Sequence, residues 1–469
     1  MSKDRIVYPY VPNSVPEIKA QMLKEVGAND IMELYAEIPE HLRLKGRLNL
    51  PEPILDEYSI KRHLEALLNQ NKNCLEYLNF LGAGCAQHFV PAVCDEINGR
   101  GEFLTAYAMD CYADHGKWQA TFEYTSLMAE LLDMDVVSNP LYDGPSAAAT
   151  SLRMAARITG RKEVLVPKYM NPDTLLVIKN YLQGVGGPLI KIRVVACSPE
   201  SGLLNLDDLK AKISSDTAAI FIENPAYLGP VETFQAEKIG AIAHDHNAEF
   251  VVYTDPIALG ILAPPAHYGA TIVCGDSHGL GMHMQCGGGQ CGFFATSDDM
   301  QYIAQYKDLV WGLAETQVDG EYGFGQVLFG RTSYGSREKG IEYTGTSTGL
   351  WGITTAVYLS LMGPQGMREV GQVISQNAAY AAKKITEIKG VELAFNSPFF
   401  KEFVIKFDDT GKTVQEINKR LLEHKIFGGK DLSAEFPELG QCALYCVTET
   451  KSIEDIDRLA HALAQALQS

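Results

Sequence analysis

The segment EFVVYTDPIALGILAPPAHYGATIVCGDSHGLGMH, residues 249–283, decides the fold class. It holds two apolar runs rich in β-branched residues, residues 250–254 and 271–275. Runs of this kind are typical of strands buried in a parallel sheet. The first run ends in Asp255, which places that carboxylate at the carboxyl edge of the sheet. Ligands of open α/β sheets bind at this edge, so we expect the functional site there.

The same pattern extends outward over residues 76–350. Further apolar runs at 163–167, 190–196 and 218–223 alternate with helix-like segments at 172–183, 205–214 and 237–247. This alternation predicts a large α/β domain with a mostly parallel sheet and right-handed crossovers. Residues 1–75 predict an N-terminal helical arm. Residues 351–469 predict a smaller C-terminal α+β domain with strands at 402–407 and 441–447.

Composition excludes several classes of function. The chain has 469 residues and a net charge of −18, which disfavours binding to a nucleic-acid backbone. Its longest apolar run, residues 350–363, is shorter than the roughly 20 residues that a membrane span needs. The N-terminus has no apolar core, so it predicts no secretory signal, and we expect a cytoplasmic protein with reduced cysteines.

Two features at the expected edge suit a phosphorylated cofactor. Residues 141–149 form a small-residue turn that opens a helix, and the N–H groups there, with the hydroxyl of Ser146, suit a phosphate. Asp255 is placed to hold the protonated ring nitrogen of pyridoxal 5′-phosphate (PLP). The competing interpretations are a plain capped helix and a loop or N-cap aspartate.

The loop after the second run lacks the residue that PLP chemistry needs. In PLP folds with this order of elements, the lysine that forms the Schiff base lies on this loop. The chain has no lysine between Lys238 and Lys307. The pairs Cys286/Cys291 and His278/His283 on the same loop favour packing and loop contacts over a metal site.

The whole chain resembles a known family. Its motifs are FLGAG at 80–84, EFLTAY at 102–107, YDG at 142–144, DPIALG at 255–260, GFFAT at 292–296 and CVTET at 446–450. In this order and spacing they are similar to subunit 1 of the two-subunit glycine decarboxylases, the P-protein of the glycine cleavage system.

The resemblance implies a PLP-dependent transferase-like architecture of fold type I. It also implies a division of labour, in which subunit 2 carries the lysine and PLP and subunit 1 lacks the lysine. An α2β2 assembly, glycine or a small amino acid as substrate and a lipoyl-bearing H-protein as a further partner follow from the same likeness. Asp255 is then a relic of cofactor binding or a structural residue.

The chain departs from the family at the expected edge, and the departures supply further candidates. Residues 110–117 and 337–348 differ from the family's segments, and Asn171 stands where the family has a histidine before proline. His115 and Lys117 are candidates for proton transfer, and Arg337 for binding a carboxylate. With Ser146, Asn171, Asp255 and His278 as candidate cofactor contacts, they complete the expected site. Solvated loops, a satisfied loop histidine and surface charges are the competing interpretations.

Three functions remain open from the sequence. The first is a lysine-less subunit of a glycine decarboxylase. The second is a subunit of a PLP-dependent lyase or aldolase complex that acts on another amino acid, which the altered loops motivate. The third is a non-catalytic scaffold that stabilises its partner.

Overall fold

The computed structural model describes residue 8 and residues 10–46, 48–103, 115–184, 189–345 and 347–468, with the backbone alone for Pro12 and His115. Its contacts divide the chain into two compact units, Met1–Lys72 and Asn73–Ser469. The boundary expected at residue 350 stays a prediction. No helix in the described part of the chain combines the length and the apolar character that crossing a membrane requires.

The helices have the following bounds: α1 Pro16–Glu25, α2 Glu57–Leu68, α3 Ala92–Asn98, α4 His115–Leu132, α5 Gly144–Thr159, α6 Pro172–Tyr181, α7 Leu206–Lys212, α8 Ala236–Asp245, α9 Met300–Ile303, α10 Ser333–Ser336, α11 Gly349–Thr386, α12 Val414–Glu423 and α13 Ile453–Gln468. The strands have the following bounds: β1 Leu78–Asn79, β2 Val136–Val137, β3 Glu163–Pro167, β4 Lys191–Val195, β5 Thr217–Glu223, β6 Glu249–Thr254, β7 Ile272–Asp276, β8 Gly292–Thr296, β9 Trp311–Glu315, β10 Tyr322–Gln326, β11 Glu392–Leu393, β12 Glu402–Lys406, β13 Ile426–Phe427, β14 Lys430–Asp431 and β15 Cys442–Cys446.

The central sheet has the order β2-β8-β7-β6-β5-β3-β4. The five strands from β7 to β4 run parallel, as the apolar runs predict, whereas β8 and β2 pair antiparallel at one edge. Alternate residues of β6 enter different hydrophobic clusters. Phe250 and Val252 pack on one face of the sheet, and Val251 packs on the face covered by α5 and α6. Both faces of the sheet are therefore buried, which explains why these strands are almost wholly apolar.

The C-terminal part forms a second layer of structure. Strands β11, β12, β15 and β14 make an antiparallel sheet, and α11, α12 and α13 bury its apolar face. Helix α11 is interrupted at Gly363, where φ is +59° just before Pro364. Lys401 lies one residue before β12, so the C-terminal sheet places Lys401 near the central sheet.

Candidate functional site

The carboxyl edge of the central sheet encloses a cavity of about 90 Å³, enough for several water molecules. Strands β5, β6 and β7 end beside it, at Glu223, Thr254 and Asp276. Its charged and phenolic lining comprises Glu223, Tyr227, Tyr253, Asp255, Asp276, Lys401 and Glu402. Because the expected edge, the expected Asp255 and six further charged or phenolic side chains meet here, this cavity is the candidate functional site.

Asp255 already has a cationic partner within the chain. The Nζ atom of Lys401 lies 2.6 Å from Oδ2 of Asp255, and both side chains are largely buried. The same Nζ lies 3.4 Å from Nε2 of His88, whose Nδ1 lies 3.0 Å from Glu449. These four side chains form a largely buried row in which the two basic groups, His88 and Lys401, lie between the two carboxylates.

The pKa shifts within this row determine which of its groups carry protons. Burial lowers the pKa of His88, and the neighbouring Lys401 lowers it further, which leaves the ring neutral. Burial also opposes the charge on Asp255, but the ammonium of Lys401 and the backbone amide of Ile257 outweigh it, so the pKa of Asp255 lies below its ordinary value. Burial opposes the charge on Lys401 in turn, and Asp255 outweighs it, so the pKa of Lys401 is raised. A neutral His88 then accepts from Lys401 at Nε2 and donates to Glu449 at Nδ1.

The N-terminus of α5 is likewise satisfied by the chain. The amide of Gly144 donates to Oδ2 of Asp276 at 2.7 Å, and the amide and hydroxyl of Ser146 donate to Asp143 at 2.7 and 2.6 Å. Pro145 has no N–H, and the amide of Ala147 donates to the Asp143 carbonyl at 3.1 Å. The donors that a phosphate needs at this turn are therefore bonded to the protein.

Two neighbouring side chains, Tyr253 and Asp276, exclude an anion from the same turn. A Cβ atom on Gly144 would lie 2.2 Å from the hydroxyl oxygen of Tyr253, so the ring packs directly on the backbone. Asp276 also accepts from the amides of His278 at 2.9 Å and Cys291 at 3.0 Å. Burial raises the pKa of Asp276 although these amides oppose the shift. When it is ionised, this carboxylate repels a phosphate.

The loop after β7 is held by His278. Its Nε2 lies 2.8 Å from the carbonyl oxygen of Ala86, and its Nδ1 bonds to the carbonyl oxygen of Gly289. Carbonyls only accept, so both ring nitrogens carry protons when both bonds form. Burial lowers the pKa of His278, but hydrogen bonds to Cys85 and to the two carbonyls raise it to about 9. His278 therefore fastens this loop to the segment around Ala86.

The space beside Gly279 is filled. A Cβ atom there would meet Cδ1 of Ile257 at 3.0 Å and the ring of His88 at 3.3 Å. On the same loop His283 bonds to Asp95, and Cys286 is exposed while Cys291 is buried. These positions agree with the packing and loop roles that the sequence favoured for both pairs.

Two largely buried carboxylates, Glu223 and Glu402, also line the cavity, and the sequence does not predict either of them. Glu223 accepts from the amides of Asn171 at 3.2 Å and Tyr227 at 3.1 Å, and burial raises its pKa to about 7. Glu402 accepts from the amide of Ala83 at 2.6 Å, and burial raises its pKa as well. The signal that could have found Glu223 is a lone acid at the end of a fully buried strand.

The structure brings together some of the predicted site residues and separates others. Asn171, Asp255 and His278 line the cavity, whereas Ser146 lies in the first turn of α5, bonded to Asp143. Asn171 caps α6 by accepting from the amide of Asp173 at 2.9 Å. Lys117 is buried in α4 and Arg337 is exposed in a turn after α10, and neither of these two described residues lines the cavity. The side chain of His115 and the altered residues 110–114 lie outside the described residues.

These contacts do not fit PLP in this chain. A ring nitrogen would find Asp255 paired with Lys401, and a phosphate would find the turn at Gly144 capped and faced by a carboxylate. The loop that should carry the lysine, residues 277–291, has none. The arrangement can hold a proton on Glu223 near neutral pH, but it offers no nucleophilic amine at the expected position.

Comparisons with known proteins agree on one family. The family model described as "Glycine cleavage system P-protein" matches residues 9–463. The "Probable glycine dehydrogenase (decarboxylating) subunit 1" of Staphylothermus marinus is 38% identical over 468 residues, which cover 98% of each chain. A crystal structure of a glycine decarboxylase (P-protein), in inhibitor-bound form, superposes with a TM-score of 0.83 at 31% identity, over 98% of this chain and 100% of that one. The sphingosine-1-phosphate lyase of Burkholderia pseudomallei has a TM-score of 0.65 at 14% identity over 92% of this chain and 94% of that one, a likeness of fold alone.

Proposed function

Because the chain belongs to the glycine cleavage system P-protein family, we propose that it is the lysine-less subunit of a glycine decarboxylase complex. In this proposal it shapes an active site whose PLP is held by a partner subunit, in an α2β2 assembly in the cytoplasm. The observation that carries the proposal is the edge cavity, where the chain's own residues take the contacts that a bound PLP would need. The name "subunit 1" of the relatives supports the existence of a second chain.

The residues of this chain then have two kinds of role. PLP, when bound to the partner, supplies the electron sink for the loss of the carboxyl group from glycine. The row from Glu449 to Asp255 and the cap of α5 keep the edge of this subunit closed and rigid. His115, Lys117 and Arg337 remain candidates for contributing to the partner's site, by proton transfer or by a bidentate bond to a carboxylate. A lipoyl-bearing H-protein is proposed as the further partner that receives the product.

Glycine-dependent exchange of CO2 tests the proposal. We expect exchange from the purified complex of the two subunits and none from either chain alone. A tenfold loss in the variants Lys117→Met or Arg337→Met, about 1.4 kcal/mol of transition-state stabilisation, would show that this chain contributes to the chemistry. Arg368→Met is the control, because Arg368 is exposed on α11. Exchange by the partner alone at the full rate would refute a shared active site.

Two alternatives keep specific support. The altered segments 110–117 and 337–348 favour a PLP-dependent lyase or aldolase complex with another amino-acid substrate, which a panel of amino acids with the complex would reveal. The cavity, in which groups of the same chain take the contacts that PLP would need, favours a non-catalytic scaffold. In that case none of the variants at His115, Lys117 and Arg337 changes turnover, while removal of this chain destabilises the partner.

A further inference from the structure

Part of the lining of the edge cavity consists of polar groups that the chain leaves unbonded. The hydroxyls of Thr174 and Tyr253 and the side-chain nitrogen of Asn171 belong to the lining, and none of them bonds to another group in the described part of the chain. The side chain of Thr174 is only 2% exposed, so its hydroxyl points into the cavity rather than into bulk solvent. Because a buried polar group without a partner costs free energy, these groups indicate a place for a bound molecule.

Glu402 adds an unpaired carboxylate oxygen to the same cavity. Its Oε1 accepts from the amide of Ala83 at 2.6 Å, while its Oε2 has neither a hydrogen bond nor an ion pair with any described residue. Burial raises the pKa of Glu402, since the ionised form has lost solvent. A cationic N–H donor at Oε2 would supply both the missing hydrogen bond and the opposite charge, and such charge-assisted bonds are among the strongest in proteins.

The charge balance of the lining also favours a cation over an anion. Four carboxylates and two bases line the cavity: Glu223, Asp255, Asp276, Glu402, Lys401 and His278. Lys401 is paired with Asp255, and both ring nitrogens of His278 bond to carbonyl oxygens. Even with a proton on Glu223 the carboxylates outnumber the bases, so the cavity attracts a positively charged group.

We propose that the edge cavity binds a small primary ammonium compound, with Oε2 of Glu402 as the partner of the ammonium group. The volume of about 90 Å³ has room for several waters, and hence for a molecule of about five non-hydrogen atoms. The three unbonded polar groups would then bond to the rest of the molecule. Binding is non-covalent and involves neither PLP nor a partner subunit, so the inference does not depend on the proposed function.

The ammonium group can come from two sources, a simple amine or a free amino acid. In an amino acid the side-chain amide of Asn171 would donate to the carboxylate. Glycinamide, glycine and glycolate separate these cases, because they have the same number of non-hydrogen atoms but are a cation, a zwitterion and an anion.

Isothermal titration of the full chain with each of the three compounds tests the proposal. We expect glycinamide or glycine to bind at one site per chain with a Kd on the order of 1 mM, as suits so small a ligand. Glycolate should bind at least about tenfold more weakly, because it lacks the ammonium group. Tighter binding of glycine than of glycinamide identifies an amino acid as the ligand, and the reverse identifies an amine. Binding of glycolate as tight as that of the other two, or saturable binding by neither glycinamide nor glycine, would overturn the proposal.

Two variants in the cavity locate the binding. Glu402→Gln keeps an oxygen for the amide of Ala83 but removes the charge, and it should weaken binding of glycinamide at least about tenfold. Thr174→Val keeps the shape of the side chain but removes the hydroxyl, and it should weaken binding about fivefold. Glu423→Gln is the control, because Glu423 is exposed at the end of α12, and its binding should equal that of the unchanged chain.

Thermal unfolding of each variant without ligand shows whether it has folded, and Thr174→Val carries the test if Glu402→Gln has not. Equal binding by the unchanged chain and by the folded cavity variants would overturn the proposal. A crystal structure of the chain with glycinamide gives a readout that needs no variant. We expect the ligand in the cavity with its ammonium nitrogen within hydrogen-bonding distance of Glu402, and a ligand bound only elsewhere would contradict the assignment.

Discussion

The two ends of the edge cavity are closed by opposite charges. At one end the ammonium of Lys401 lies 2.6 Å from Asp255, where a cofactor would present a protonated ring nitrogen. At the other end the carboxylate of Asp276 accepts from the amide of Gly144, where a cofactor would present a phosphate. Each residue carries the same sign of charge as the cofactor group whose contact it takes. The fold therefore keeps the charge pattern of a PLP site while its own side chains satisfy it.

The two ends of the cavity also differ in what stabilises them. Lys401 comes from the C-terminal sheet, so the end at Asp255 ties two parts of the chain through a buried ion pair. Asp276 is the last residue of β7, so the end at Gly144 is held by hydrogen bonds within the central sheet layer. A buried charge that loses its partner costs more than a lost neutral bond, so the two ends should respond differently to mutation.

The largest expected effect is at Lys401. Lys401→Met leaves Asp255 and its buried charge without the ammonium, which should lower the free energy of unfolding by about 3–5 kcal/mol. Lys406→Met is the control, because its ion pair with Glu392 is exposed and should be worth less than about 1 kcal/mol. Urea unfolding followed by circular dichroism measures both. Similar small losses in the two variants would show that the pair with Asp255 is not a stabilising contact.

The second prediction concerns how the protonation of Glu223 makes the free energy of unfolding depend on pH. The folded chain holds a proton on Glu223 with a pKa of about 7, whereas the unfolded chain releases it near pH 4.3. Between these values the folded state binds more protons, so this group makes the free energy of unfolding fall as pH rises, by up to about 1.4 kcal/mol per pH unit. Glu223→Gln should remove that slope.

The quantity to measure for Glu223 is the difference in stability between the variant and the unchanged chain at pH 5, 6, 7 and 8. The difference cancels other titrating groups, including His88, whose lowered pKa acts in the opposite direction. Glu232→Gln is a matched variant, because burial raises the pKa of Glu232 to about 7 at a position away from the cavity lining. A difference that does not change with pH would contradict a protonated Glu223.

The smallest effect is expected at the phosphate end. Asp276→Asn keeps the size of the side chain but sets an amide donor against one of three backbone N–H groups, which should cost about 1–3 kcal/mol. Asp207→Asn is the control, because Asp207 is exposed on α7. Thermal unfolding of the two variants checks the ranking. A loss at Asp276 as large as that at Lys401 would contradict the distinction between the two ends.

The sequence predicts one side of this cavity and misses the other for a physical reason. Strand β6 and Asp255 follow from a local pattern of apolar residues that ends in an acid, and the five parallel strands were all predicted within one residue of their observed ends. Lys401, His88 and Glu449 reach Asp255 from distant parts of the chain, and no local periodicity marks such contacts. The antiparallel strands β2 and β8 and the hairpin of β9 and β10 were missed, because their signals are short or interrupted by glycine.

Two candidate site residues, His278 and Ser146, show the same limit of prediction from sequence. The sequence predicts His278 as a cofactor contact from its place after the second apolar run, whereas its two carbonyl partners make it a residue that fastens the loop. The sequence predicts Ser146 as a phosphate contact, whereas its amide and hydroxyl are both bonded to Asp143. In both cases only the tertiary contacts decide whether the polar atoms are available.

The most direct test of the central claim is to locate the cofactor in the purified complex. The complex is reduced with borohydride, which fixes PLP to the lysine that carries it, and both chains are mapped by mass spectrometry. We expect a stoichiometric phosphopyridoxyl group on a lysine of the partner, and no stoichiometric group on this chain when it alone is mixed with PLP and reduced. A stoichiometric group on this chain, at Lys117, Lys401 or any other lysine, would contradict this expectation.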